Sequence, residues 1–163
     1  MLSIKGRNHD MLTAALEGTA VLLAGITSGT AFYITAVENP ARNNDENPDA
    51  FKLRMWHQLF PRAAGFLKPF GMVVNAAIGG CIYQTGNKAW WIPFGLFAAM
   101  GPFTVFAITP TNDKILALKE GNAKDEKEAG KLVEDWATLH NVRTAISTFG
   151  FIGAIVAAMT EYQ

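Results

Sequence analysis

The sequence predicts an all-α integral membrane protein: an up-down-up-down four-helix bundle whose polar helix ends and two long loops lie on one side of the bilayer. Half of the 163 residues are hydrophobic and only 17% are charged, against roughly 25% in a soluble domain. Four runs hold no Asp, Glu, Lys or Arg: Gly18 to Val37, Pro69 to Asn87, Ala89 to Asn112, and Thr144 to Thr160. Crossing a hydrocarbon core takes about 20 mostly apolar residues, within about 17–25. Each run satisfies that, and none has the polar face that a soluble amphipathic helix needs.

The elements follow in order within one transmembrane domain, residues 1–163. The first span, about 15–38, is rich in small residues, and its Gly25 and Gly29 form a GxxxG pair that permits close helix approach. The second, about 61–84, starts near Pro61 and tolerates Pro69 because neighbours rescue the freed carbonyl. Asn87 and Lys88 make a short turn into the third span, about 89–110, where Trp90 and Trp91 occupy an aromatic belt. The fourth span, about 138–160, follows a charged helical stretch from Lys127 to Arg143. Loops of about 39–60 and 113–137 fall on the same side. No internal repeat is visible.

Fourteen basic and fourteen acidic residues cancel, so no net field recruits nucleic acid. Cys81 is the only cysteine and forms no internal disulfide. The polar amino-terminal tail and the three later spans disfavour a cleavable signal peptide. There is no GxGxxG, Walker or CxxCH motif, so no nucleotide, flavin or c-type haem cofactor is predicted. Most Lys and Arg residues fall on the side of the two loops, with Lys5, Arg7 and Lys88 opposite. The positive-inside rule then puts the polar mouth in the cytosol and both termini in the lumen. The expected address is the endoplasmic reticulum or another intracellular membrane.

At that mouth, Trp136, His140 and Arg143 share one helix face, with Ser147 one turn deeper. A histidine and an arginine at a membrane border can bind an anionic or phenolic oxygen and exchange its proton. Interfacial anchoring is the competing explanation. Arg54, His57, Pro61, Ala64 and Lys68 form another stripe, and Lys68 at depth either finds a partner in Glu38 or a bound ligand or snorkels toward the same mouth. Thr109-Pro110-Thr111-Asn112-Asp113 has turn chemistry, and Asn112 can equally present an amide to a carbonyl. A metal held by His57 and His140 with Glu38 or Asp113 is a minority reading, since no metal-type spacing is present.

Pro110-Thr111-Asn112 followed by Leu116, then Trp136, His140 and Arg143 in the pattern W-x-x-x-H-x-x-R, resembles the signature of the anthrone oxygenase-like membrane family. Pro40-Ala41, Trp56-His57 and Arg62 resemble the family's first half more loosely. The resemblance implies a four-span membrane oxidoreductase that oxidises an anthrone-type CH2 with dioxygen after proton abstraction, without a classical cofactor. It implies His140 as base, Arg143 and Asn112 as oxyanion partners and Trp136 as a stacking wall, with His57 as a competing base. Glu38, Trp56, Arg62 and Lys68 complete the substrate contacts. The expected partners are membrane lipids and a hydrophobic aromatic small molecule. A non-catalytic scaffold or accessory subunit that binds a lipid, a second copy or a membrane protein uses the same frame, and a transporter is a third possibility.

Overall fold

The computed structural model describes residues 4–160, with side chains from residue 11 onward. The chain ends and the side chains of Lys5 and Arg7 lie outside the described residues. Helix α1 (Ile4–Tyr33) passes through a π turn (Ile34–Glu38) into α2 (Asn39–Arg42). Helix α3 (Asp49–Thr85) returns, a 3-10 turn (Lys88–Trp90) leads into α4 (Trp91–Phe103), and a second π turn (Thr104–Ile108) leads into α5 (Thr109–Ala117). Helix α6 (Ala123–Thr160) closes the bundle. Four helical rods are long and apolar enough to cross a membrane, and no strand occurs among the described residues. The chain is therefore a multi-pass integral membrane protein.

The two π turns share one cause. A proline in a regular helix lacks the N–H for its bond four residues back, and its ring collides with that carbonyl. Pro40 and Pro110 each sit just past a π turn. The helix widens upstream of each, so that Asn39 N–H reaches Ile34 O and Thr109 N–H reaches Thr104 O, both five residues back. The sequence pattern showed no repeat, yet the first and third rods carry the same device at the same end of the bundle.

The long loops expected from the sequence are helical over most of their length. Only 43–48 and 118–122 remain between helices, because the charged segments on either side are themselves helical and lengthen α3 and α6. At 38 residues, α6 is roughly 57 Å long at about 1.5 Å per residue, far more than the bilayer core requires. Pro61 and Pro69 both lie inside α3, which starts at Asp49.

Packing at the bare end also differs from the sequence pattern. Trp90 is fully buried among Ala20, Ala24, Ile78 and Ala157, and only Trp91 is exposed as a belt residue should be. Gly25 lies against the Phe151 ring of α6, where an added Cβ would come within 3.1 Å, but Gly29 has nothing within 4 Å. The tightest glycine contact of that region is instead Gly150, whose added Cβ would be 2.8 Å from Phe97. A second core cluster, around Leu53, Trp56, Ile115, Val133 and Trp136, holds the polar end together.

Candidate active site

Between these clusters lies a cavity of about 710 Å³, within the roughly 300–1,000 Å³ usual for small-molecule sites. Its walls gather His140, Arg143, Asn112, Trp136, Glu38, Trp56 and Lys68, seven of the residues the sequence nominates. The other two are elsewhere. The nitrogens of His57 face the α5 end, 3.0 Å from the Ile115 carbonyl and 3.3 Å from Glu120. Arg62 is exposed and donates to the carbonyl of Gln58 on its own helix. On α3 the cavity-facing stripe runs through Trp56, Phe60, Ala63 and Leu67, about 100° of helix rotation from His57.

The aromatic wall is built ring on ring. Trp136 stacks on the His140 imidazole at 5.0 Å, and Trp56 stacks on Phe60 at 4.4 Å. Trp56 and Trp136 meet edge to face at 6.1 Å. The Arg42 guanidinium lies 5.2 Å from the Trp136 ring centroid. The sequence pattern did not nominate Arg42, because it follows the first π turn and reaches Trp136 only through the fold. Arg42 is 3% exposed and donates to Asn39 Oδ1 at 2.7 Å and Asn43 Oδ1 at 3.1 Å. It also pairs with Glu38 at 3.4 Å. Glu38 thus serves Arg42, which leaves a bound ligand or snorkelling as the readings for Lys68.

Two hydrogen-bond arrangements fix the chemistry the wall presents. The Trp136 indole N–H can only donate, and it gives its proton to Asn112 Oδ1 at 2.8 Å. That orients the amide and leaves Asn112 Nδ2 as a donor for whatever fills the cavity. At His140, Nδ1 lies 3.2 Å from Thr35 Oγ1 and 3.4 Å from Thr144 Oγ1, and the two hydroxyls are 2.8 Å apart. Thr144 Oγ1 lies 3.0 Å from the His140 carbonyl and 3.2 Å from that of Ala31. A carbonyl only accepts, so the Thr144 proton goes to a carbonyl and its oxygen accepts from Thr35. Thr35 in turn accepts from His140 Nδ1–H. The relay selects the Nδ1–H tautomer and leaves the Nε2 lone pair unengaged among the described residues, which is the form a general base needs.

Arg143 completes the set. It lines the cavity with no hydrogen-bond or ion-pair partner among the described residues, and its Nε is buried and unpaired. The Trp56 indole N–H is likewise buried without an acceptor. An uncompensated guanidinium in a membrane-embedded cavity is costly unless a ligand supplies the countercharge. The two histidines do not converge, and no group of three His, Cys, Asp or Glu side chains suited to a metal forms among the described residues.

The family model described as anthrone oxygenase matches residues 56–153. Among curated proteins, the anthrone oxygenase nsrD of Aspergillus novofumigatus is similar, 29% identical over 147 residues that span 85% of this chain and 90% of that protein. No solved structure matches the chain.

Proposed function

The chain belongs to the anthrone oxygenase family, and from that premise we propose that it oxidises the ring-flanked CH2 of an anthrone-type substrate to a carbonyl with dioxygen. The observation that carries this reading is the pairing of a lone-pair-bearing His140 Nε2 with an unpartnered Arg143 on one wall of an aromatic cavity. The substrate's CH2 is acidic because its carbanion delocalises onto the carbonyl oxygen across the ring. His140 Nε2 takes that proton, while Arg143 and Asn112 Nδ2 stabilise the enolate oxygen. Trp136 and Trp56 hold the ring plane in a dry site.

The carbanion then adds dioxygen, forming a C–O bond and, after protonation, a hydroperoxide. Loss of the remaining C–H proton breaks the O–O bond, giving the quinone carbonyl and one water. One atom of dioxygen ends in the quinone and the other in water, and dioxygen is the oxidant throughout. The cations gathered at the cavity end support a cytosolic mouth for the site.

The test is purified protein in vesicles given anthrone under air, with quinone formation followed above the spontaneous rate. His140→Ala should lose about 10²–10⁴ of the enhancement, and Arg143→Ala about 10²–10³. If both folded variants keep the full enhancement, the assignment is wrong. If the wild type gives none, the scaffold reading gains.

A further inference from the structure

We propose that the cavity opens sideways into the bilayer, between α3 and the α4–α5 rod, and that its substrate enters there from the lipid phase. This rests on the cavity being the substrate site, as proposed above. The two sides of the cavity differ in kind. Its deep wall is polar and buried: Arg42 and His140, on the first and last rods, are 3% and 2% exposed. On the opposite side, Met72 of α3 is 72% exposed and Val105 of the second π turn is 58% exposed, yet both line the same cavity. A side chain that faces a cavity and the outer surface at once marks a rim.

Small residues keep that rim open. Gly71 and Gly101 both line the cavity, and a Cβ added at either would meet nothing within 4 Å. Met72 and Val105 both belong to charge-free runs, which occupy the hydrocarbon, so the opening faces acyl chains rather than water. Charges appear on it only toward the polar end, at Lys68 and Asp113.

An apolar rim facing lipid with a polar wall behind it suits one class of ligand: a flat hydrophobic aromatic with its oxygens on one edge. Dissolved in the bilayer, such a molecule slides in with the oxygen-bearing edge leading and never crosses water. The rings left at the rim stay against lipid, so an alkyl substituent there extends into the bilayer without a clash.

The test is stopped-flow quenching of the cavity tryptophans by anthraquinone in phosphatidylcholine vesicles holding the protein. It needs no turnover, so it reads the portal whether or not the chain oxidises anthrone, and quinone formation in the same vesicles reads the reaction separately. Gly71→Leu with Gly101→Leu, and separately Met72→Phe with Val105→Phe, should slow association roughly tenfold, as obstructed entry does, with the final quenching retained. The second pair replaces exposed side chains, so its fold survives. Gly95→Phe, on an exposed α4 position off the cavity, should bind as wild type does. Association that keeps its wild-type rate in both folded double variants would overturn the lateral route.

Discussion

Replacing Thr35 by valine tests the base assignment without touching the base. Thr35 Oγ1 accepts from His140 Nδ1–H at 3.2 Å, and the methyl of valine accepts nothing. The imidazole then has two options: the longer 3.4 Å approach to Thr144 Oγ1, or moving the proton to Nε2 and losing the lone pair that faces the cavity. Leaving a buried donor unmet costs about 1–3 kcal/mol. At about 1.36 kcal/mol per tenfold in rate, that is roughly 5- to 150-fold. Thr35→Val alone should fall at the low end because Thr144 substitutes, and Thr35→Val with Thr144→Val at the high end. Quinone formation in vesicles measures the rate, and ¹⁵N shifts of the His140 ring read the tautomer directly. Thr35→Ser should restore both, since it returns the hydroxyl. Full turnover in the folded double variant, with the ring still protonated at Nδ1, would refute the relay.

Further outcomes are expected from the same geometry. His57→Ala should leave turnover within about twofold, because its ring does not line the cavity; a loss comparable to that of His140→Ala would return His57 to the site. Pro110→Ala restores an N–H at the second π turn and lets it relax, so the thermal midpoint should rise while turnover falls about tenfold with the displacement of Asn112. Gly150→Ala should cost about 1–3 kcal/mol against the Phe97 ring, whereas Gly29→Ala should be neutral or stabilising by up to about 1 kcal/mol in a thermal melt. Arg143→Met should lose about 10²–10³ of the rate enhancement yet leave the melting point equal or higher, while Arg42→Met should lower both.

The membrane fold was legible in the sequence because a bilayer imposes a length and forbids charge over that length, and four charge-free runs meet the demand. Trp136, His140 and Arg143 were legible because one regular helix carries them at fixed spacing. Arg42 and Thr35 were not: both depend on the first π turn, whose extra residue per turn breaks the 3.6-residue periodicity from which a helix face is inferred. Pro40 is the one visible signal, since a proline inside a membrane helix marks where the register can slip. His57 was misplaced for the opposite reason. It neighbours Trp56 on a long regular helix, and a one-residue choice of stripe turns the inferred face by about 100°. Nothing in composition distinguishes an indole buried in the wall from an imidazole turned toward a loop carbonyl.

The two cavity arginines show why burial alone does not identify a site. Arg42 is the more deeply buried, yet every part of it is answered: a carboxylate from Glu38, two amide oxygens from Asn39 and Asn43, and the Trp136 face beneath it. Removing it strands those groups, which is the costly way to break a buried pair. Arg143 has no such answer among the described residues. Its desolvation opposes folding with no compensating partner, so an apolar side chain of similar volume in its place should not destabilise the fold. A residue that weakens the fold while lining an aromatic cavity is best explained by a partner that arrives from outside. In the proposed reaction, an enolate oxygen would supply the missing countercharge only with substrate bound and its proton moved to His140. That is where electrostatic stabilisation contributes most to rate, so on this proposal the cost of an unpaired Arg143 in the empty protein and its value in the reaction would have the same physical origin.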